Sequence, residues 1–319
     1  MAFSTVADVN SAIAAGRYYK TGWTKTVVGS YTAGRWYNTF ALAGVPSAGA
    51  YSGSALTFTP LYGNAGSWGA ASGYGSIPCG LPVGTTYTGS NWFRHLLNVE
   101  VSAVSGNAGA PGWLLLVDLL GYYAAIDMTS GSQQGAPMTV SGTQVLPRYA
   151  SGLGVQMFLE ATTATGATAS AMSTALSVPA NGVVYTNSSS VGSRYIPGNV
   201  AYVASSAVQS IVHSGVAVNN FGPFISLAAG DSGVQSVQYF QNTTANASGQ
   251  CALVLCKPLA TVPLISVTSP NVTVVARDFL FNMPGLPRIE DGACLSFLYC
   301  PGAAATSTPF YGTLDFVWG

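Results

Sequence analysis

Short apolar runs rich in β-branched and aromatic residues alternate with Gly, Pro, Ser and Asn along most of the chain after residue 26. Such runs, separated by turn-forming residues, are typical of the strands of a β-sandwich or barrel. The C-terminal TPFYGTLDFVWG (308–319) alternates in the same way, so we expect the last strand to reach the core. The other predicted strands include RWYNTFAL (35–42), ALTFTPLY (55–62), HLLNVEVSAV (95–104), WLLLVDLL (113–120), VQSVQYF (234–240), CALVLC (251–256) and NVTVVARDFLF (271–281).

Residues 4–16, STVADVNSAIAAG, depart from this β pattern and predict a helix. Ser4 suits the N-cap position, and Gly16 suits the end of the helix. The apolar residues at helical spacing are Val6, Val9 and Ile13. This stripe is narrow, and short isolated helices are marginal in water, so the helix needs a partner surface. We therefore expect a short helical arm at the N-terminus.

The segment RYYKTGWTK (17–25), which follows the helix, combines basic and aromatic side chains in a chain that has few charges. Large aromatic groups provide contact area at modest entropic cost and are common in protein interfaces. We predict that this segment docks on another subunit, with its basic groups at the rim of the contact; an ordinary domain edge is the alternative. The candidate assembly contacts are Arg17, Tyr18, Tyr19, Lys20, Trp23 and Lys25.

Two segments that lie 140 residues apart are alike: LPRYASGLGVQMFL (146–159) and LPRIEDGACLSFLY (286–299). Both begin with Leu-Pro-Arg, so that Arg148 matches Arg288, and both continue into a strand with alternating apolar residues. Spacing by two places alternate residues on one face of a sheet. The expected inward sets are Leu153, Val155, Met157 and Leu159 in the first copy, and Ala293, Leu295, Phe297 and Tyr299 in the second.

Further matches occur at nearly the same separation. WLLLVDL (113–119) matches CALVLCK (251–257) at an offset of 138 residues, and AAID (124–127) matches PLIS (263–266) at an offset of 139. A common order and a nearly constant offset favour an internal duplication over coincidence. The period is too long for a solenoid, whose repeats run about 20–50 residues.

These patterns together predict an all-β fold of two tandem, duplicated β-sandwich domains with jelly-roll-like topology. Two packed sheets leave few exposed strand edges, which favours this architecture. The expected division is an N-terminal arm over residues 1–28, a first sandwich over residues 29–178 and a second sandwich over residues 179–319.

Charge is scarce in this chain of 319 residues. Only 6% of the residues are Asp, Glu, Lys or Arg, against about 25% in a typical domain. The ten basic and ten acidic residues cancel, so no overall field attracts nucleic acid or an anionic membrane. A free monomer with so little charge is weakly protected against association. We therefore expect a homo-oligomer, or a subunit whose surface is covered in a larger assembly.

Mean hydropathy is positive, at +0.37, yet we expect no membrane span. The most apolar segment (112–128) contains Asp118 and Asp127 and falls short of the roughly 20 apolar residues that a spanning helix needs. The N-terminus lacks a basic stretch followed by an apolar one, so a secretory signal is not expected either.

The sequence contains no recognisable catalytic or metal-binding motif. The two histidines, His95 and His213, lie in strand-like or turn-like surroundings that favour a structural role. Glu290 and Asp291 are the only adjacent acids; beside Arg288 they are typical of a charged turn, with a hydrolase site as a remote alternative. The five cysteines lack zinc spacing and are expected to be buried free thiols. We predict neither an enzyme nor a cofactor or metal.

Several longer segments, taken together, resemble virion structural proteins of tailed bacteriophages. They are YTAGRWYNTFALAGVP (31–46), FGPFISLAAGDSGVQSVQ (221–238), LPRIEDGACLSFLY (286–299) and the terminal FYGTLDFVWG. The resemblance covers most of the chain and carries no catalytic role.

The resemblance implies a non-enzymatic structural subunit of the phage particle, most simply a capsid decoration (cement) protein that stabilises the shell by subunit–subunit contacts. The implied partners are the major capsid protein or neighbouring copies of the chain. The implied location is the virion, assembled in the host cytoplasm. A receptor- or glycan-binding virion protein of the tail or adhesin type is the alternative.

Overall fold

The computed structural model describes most of the chain. The described residues are 3–27, 29–53, 56–63, 76–77, 93–104, 112–135, 146–167, 170–173, 182–197, 200–218, 220–264, 272–278, 280, 285–306 and 309–319. The expected domain limits near residues 28 and 178, and Cys79, lie outside these ranges.

Within the described ranges the chain is mostly β-structure with a single α-helix, α1 (Val6–Ala14), and a 3₁₀ turn at Val216–Val218. The strands are β1 (Tyr18–Thr26), β2 (Ser30–Tyr31), β3 (Tyr37–Asn38), β4 (Ala43–Val45), β5 (Phe58–Pro60), β6 (Arg94–Val104), β7 (Gly112–Asp127), β8 (Gln156–Ala161), β9 (Ser170–Ser173), β10 (Gly182–Asn187), β11 (Arg194–Tyr195), β12 (Val200–Tyr202), β13 (Val234–Gln241), β14 (Gln250–Leu264), β15 (Val272–Asp278), β16 (Arg288–Ile289), β17 (Leu295–Pro301), β18 (Ala305–Thr306) and β19 (Pro309–Trp318).

The strands form antiparallel sheets, so the all-β prediction is confirmed. An outer sheet has the order β15-β6-β19-β1-β4, with β16 also paired to β6. A central sheet has the order β3-β17-β7-β14-β8, with β5 also paired to β7. A small sheet has the order β11-β10-β13, and the pairs β12-β9 and β18-β2 complete the described pairing.

The outer sheet packs on one end of the central sheet. Alternate residues of β19, such as Phe310 and Leu314, point inward and join Phe297 and Leu116 of the central sheet in one buried cluster. The last strand therefore does reach the core, as its alternation predicts. We name this half of the molecule, the outer sheet with β17 and β7, the first lobe.

The small sheet packs on the other end of the same face of the central sheet. Val183 and Phe240 of the small sheet contact a cluster that includes Leu253 and Leu159 of the central sheet. We name this half, the small sheet with β14 and β8, the second lobe. The opposite face of the central sheet has its own apolar cluster, which includes Val117 and Val254.

Each lobe combines strands from both sides of residue 178. In the first lobe, β6 pairs with β19 and β7 pairs with β17; in the second, β13 pairs with β10 and β14 pairs with β8. The two long strands β7 and β14 pair with each other where the lobes meet. The tandem arrangement of two sequential sandwiches, its duplication and its jelly-roll-like topology are therefore not confirmed.

The two ladders that flank the long central strands are nevertheless alike, with registers that differ by one residue. Phe297 of β17 faces Leu116 of β7, whereas Met157, its match in the repeat, faces Leu255 of β14. The four strands of each lobe also pair in the same way, with β6 on β19 corresponding to β13 on β10.

Helix α1 is shorter than expected and has a different cap. Thr5, not Ser4, is the N-cap, and it forms a capping box with Asp8. The helix buries Val9 against Val317 of the outer sheet, whereas Ile13 stays exposed. Its partner surface is therefore the chain itself.

The inward sets predicted for the repeated segments are largely confirmed. Val155, Met157 and Leu159 are buried, and so are all four residues of the second set. Leu153 is the exception: its side chain is 59% exposed because it lies in a turn before β8 begins. The four described cysteines are buried, as expected, and form no disulfide with one another.

Candidate functional site

An apolar groove lies on the face of the central sheet that points away from the outer sheet. Its volume is about 1050 Å³. Two rows of the sheet form its floor: Trp113 faces Cys300 and Pro263 on the neighbouring strands, and Leu115 faces Thr261. The remaining lining residues include Trp36, Val216, Phe221, Pro223 and Leu264. We call this feature the groove.

The groove exists because only part of this sheet face is covered. Farther along the sheet, Phe40, Leu61 and Ile211 pack on the face and bury Val117 and Val254. Trp113 lies beyond that cover and is 51% exposed. Both faces of β7 carry apolar side chains, as in a strand that is buried on both sides, so its uncovered end presents a hydrophobic surface.

The far wall of the groove is held by hydrogen bonds. Trp36 donates its Nε1–H to the carbonyl oxygen of Phe221 at 2.8 Å, and its backbone N–H to Ser214 Oγ at 3.1 Å. Asn220 donates its side-chain Nδ2–H to the carbonyl oxygen of His213 at 2.9 Å. These bonds fix the loop after β12, so Phe221 projects from a braced segment although it is 66% exposed.

Among the residues that the structure describes, no charged side chain lines the groove. Exposed aromatic groups around an apolar floor are more typical of a contact surface than of the free surface of a monomer. The site offers shape and apolar area, with backbone carbonyls and one hydroxyl as its polar groups. It can bury an apolar partner surface.

The structure corrects the interpretation of residues 17–25 as a docking arm. This segment is β1, paired on one side with β19 and on the other with β4. Trp23 is 2% exposed and packs on Phe297 with ring centroids 4.7 Å apart. Lys25 is buried as well, so neither side chain is accessible to a partner. The reason is the alternation of β1, which turns every second residue inward.

The remaining candidate contacts have mixed positions. Tyr18 and Lys20 are exposed on the outer face of the sheet, while Arg17 and Tyr19 are half-buried. Lys20 forms an ion pair with Glu100 at 3.0 Å. A contact role for these four residues stays a prediction.

Lys25 illustrates how a buried cation is satisfied without an acid. Its Nζ donates to the carbonyl oxygens of Leu42 and Pro46 at 3.0 Å and of Ser47 at 3.3 Å. Burial lowers the pKa of Lys25 to about 8.

The two arginines of the repeated Leu-Pro-Arg segments have different environments. Arg148 is buried and forms a bidentate pair with Asp118, with N···O distances of 2.8 and 2.7 Å. Asp118 also accepts the backbone N–H of Cys294 at 2.8 Å, which ties the two repeated segments together. Arg288 lies on the short strand β16, is 46% exposed and pairs with Glu290, two residues along the chain.

Two other buried ionisable groups lie between the lobes and the covering segments. Glu160 accepts hydrogen bonds from Asn38 Nδ2 and Tyr51 OH, both at 2.8 Å, and burial raises its pKa to about 8. His213 is fully buried, and burial lowers its pKa to about 4. Neither residue lines the groove.

The other sequence candidates for chemistry are not brought together. Asp291 pairs with Arg94 at 3.1 Å while Glu290 pairs with Arg288, as expected for a charged turn. Among the residues that the structure describes, no group of three or more His, Cys, Asp or Glu could hold a metal ion. No helix in the same ranges is long and apolar enough to cross a membrane.

Comparisons with protein-family models, with curated proteins and with solved structures found no match to this chain.

The groove was not predicted from the sequence, although its parts carry signals. Trp113 begins a run that is apolar on both strand faces, which indicates burial on both sides rather than an open end. Phe221 begins the segment 221–238, whose sequence gives no sign that this side chain is exposed. That Trp36 and Trp113 line one groove depends on contacts between distant segments, which no local pattern contains.

Proposed function

We propose that this chain is a non-enzymatic structural subunit of a bacteriophage particle, most simply a capsid decoration (cement) protein that stabilises the shell. The resemblance to virion structural proteins of tailed phages supports this assignment. The proposed location is the virion, after assembly in the host cytoplasm. The proposed partner at the groove is a neighbouring copy of the same chain, and the rest of the surface contacts the major capsid protein.

The groove is the observation that carries the proposal. It leaves Trp113, Val216 and Phe221 more than half exposed on a chain whose net charge is zero. Zero net charge removes the long-range repulsion that keeps copies of a protein apart. A rigid, uncharged and aromatic surface on a charge-poor protein therefore favours contact with another copy over contact with an ion or a charged ligand.

We also propose that the subunit arose by internal duplication followed by exchange of strands between the two copies. The equivalent pairing of β17 with β7 and of β8 with β14 supports this history, as do the repeated sequence segments. An exchanged duplicate presents two related surfaces joined through one central sheet, which suits a subunit that bridges two neighbours in a lattice.

The first test is quantitative mass spectrometry of purified phage particles. We expect this chain at many copies per particle. Its absence from particles, or its presence at trace level only, would contradict the proposal.

The second test compares the self-association of the wild-type chain with that of groove variants by sedimentation velocity. We expect Trp113→Ser and Phe221→Ser each to weaken self-association at least tenfold, because each loses an apolar contact of about 1.4 kcal/mol or more. The matched control is Leu153→Ser, an equally exposed apolar residue outside the groove. A wild-type chain that sediments as a monomer at all concentrations, or equal effects of the three variants, would rule out this use of the groove.

A further inference from the structure

The groove has a covered counterpart on the same face of the central sheet. On the floor of the groove, Cys300 of β17 faces Trp113 of β7. In the second lobe, Glu160 of β8 faces Ala252 of β14 in the equivalent place of its ladder. Cys300 and Ala252 belong to one apolar cluster, so the two pairs lie on the same side of the sheet. We call the surface formed by Glu160, Ala252 and the neighbouring Tyr122 the counterpart site.

Aromatic rings from a separate segment of the chain cover the counterpart site. Tyr51 packs on Tyr122 with ring centroids 4.8 Å apart, and on Phe40 with ring centroids 5.4 Å apart. The Tyr51 hydroxyl donates to the Glu160 carboxylate at 2.8 Å. Ala252 of the same site is fully buried. The second lobe therefore completes this part of the sheet with an aromatic ring brought over the floor.

The groove has the floor of such a site without its cover. Trp113 is 51% exposed, whereas Ala252 in the equivalent place is fully buried. Where the counterpart site has Glu160, the groove has Cys300, which provides no charged acceptor for a phenol hydroxyl. The floor of the groove therefore suits an aromatic ring without a hydroxyl group.

Phe221 is the side chain that meets this requirement. It is the most exposed large apolar side chain among the residues that the structure describes, and the other phenylalanines in those ranges are at least partly buried. It stands at the wall of the groove and leaves the floor of its own chain open. Its carbonyl oxygen accepts the Trp36 Nε1–H at 2.8 Å, which braces the loop. A braced ring has little conformational freedom to lose when it binds a partner.

We propose that the Phe221 ring of one copy completes the groove of a second copy, and that the second copy returns the contact with its own Phe221. The inference rests on the proposed self-association through the groove and names the residue that the partner contributes. The ring and the floor lie on one surface patch, as a two-fold contact requires, since each copy then provides both parts. Such a contact closes after two copies, so the unit that enters a larger assembly is a dimer.

The test measures the association of full-length variants, alone and mixed, by sedimentation equilibrium. In a reciprocal dimer, Trp113→Ser or Phe221→Ser alone damages both contacts. A mixed dimer of the two variants pairs the intact Phe221 of one chain with the intact floor of the other, so one of its two contacts is restored. We expect the mixed dimer to be at least tenfold tighter than the dimer of either variant alone. The wild-type chain should associate no further than the dimer.

The matched control mixes two variants of the groove floor, Trp113→Ser and Pro263→Ser. Pro263 faces Trp113 on the neighbouring strand, so every floor in this mixture is damaged while every Phe221 is intact. The mixed dimer should therefore be no tighter than the tighter of the two variant dimers.

The possible failures separate this inference from the proposed function. A wild-type chain that stays monomeric would contradict both. Self-association that Trp113→Ser weakens, but that mixing with Phe221→Ser does not restore, would overturn the exchange of Phe221 and leave the groove as an interface. Growth of the wild-type chain beyond the dimer, abolished by Trp113→Ser, would overturn the reciprocal contact in the same way.

Discussion

Replacing Glu160 by Gln should change how the stability of the fold depends on pH. Glu160 lies on β8 with its carboxyl group fully buried, and it forms no ion pair within the described ranges. Its partners, Asn38 Nδ2 and Tyr51 OH, are neutral donors. A glutamine side chain has the same shape and can accept both bonds through its oxygen, but it cannot titrate.

The direction of this pH dependence, and the pH range in which it appears, follow from the pKa values of the buried groups. Burial raises the pKa of Glu160 from 4.5 to about 8, so the folded chain binds one more proton than the unfolded chain between these values. This stabilisation is complete below pH 4.5 and is lost as the pH rises through 8. His213, with its pKa lowered from 6.5 to about 4, acts in the opposite direction, but only below pH 6.5. Lys25, lowered from 10.5 to about 8, acts above pH 8.

Of these three groups, Glu160 therefore contributes most to the pH dependence of stability between pH 6.5 and pH 8. One extra bound proton corresponds to about 1.4 kcal/mol per pH unit. The free energy of unfolding of the wild-type chain should thus fall by about 2 kcal/mol across this window.

The assay is urea denaturation at several pH values within that window. The Glu160→Gln chain should show a nearly flat free energy of unfolding, and it should be more stable than the wild-type chain at the upper end. The dependence of the unfolding free energy on urea concentration should be the same in both chains, because the surface area that unfolding exposes does not change. If the free energies of unfolding of the two chains changed in parallel with pH, Glu160 would not be the group that titrates in this range.

Two further predictions use matched pairs of residues. Arg148→Met should lower the free energy of unfolding by about 3–5 kcal/mol, because it leaves the Asp118 charge buried and unpaired. Arg288→Met changes an exposed residue, so it should lower the free energy of unfolding by less than about 1 kcal/mol in the same denaturation assay. Equal losses would show that the buried pair has no special role. Trp23→Ala should cost about 3–5 kcal/mol in core packing, whereas Tyr18→Ala should change stability by no more than about 0.5 kcal/mol. A Trp23→Ala chain with an unchanged melting temperature would mean that this segment is a free arm after all.

The strands with long alternating patterns were predictable from the sequence. The runs at β7, β14 and β19 each combine β-branched and aromatic residues between turn signals, and each forms a strand. The expected alternation also placed Phe297 and Leu314 in the core correctly. Local patterns sufficed here because the alternation of apolar residues along a strand indicates which of its faces is buried.

Pairing between distant strands was not predictable in this way. The repeated segments indicate which parts of the chain are alike, but both exchanged and unexchanged copies satisfy the same pattern. Residues 18–26 show a related difficulty, since aromatic and basic side chains suit an interface as well as an alternating strand. Lys25 points inward with the alternation of β1, and its amine is satisfied by three backbone carbonyls from a separate segment, which no local pattern shows.

The groove was not predictable from the sequence for a physical reason. It is lined by side chains from several strands, and it depends on what is missing as much as on what is present. The end of β7 exposes Trp113 because the covering segments stop short of it.

A cryo-electron microscopy map of the intact phage particle would show whether the chain is a structural subunit. We expect density for this two-lobed β chain at many positions of the particle, with Trp113 and Phe221 buried against a neighbouring copy. A particle without such density, or one in which the groove faces solvent at every position, would contradict the proposal that the chain is a structural subunit that assembles through the groove.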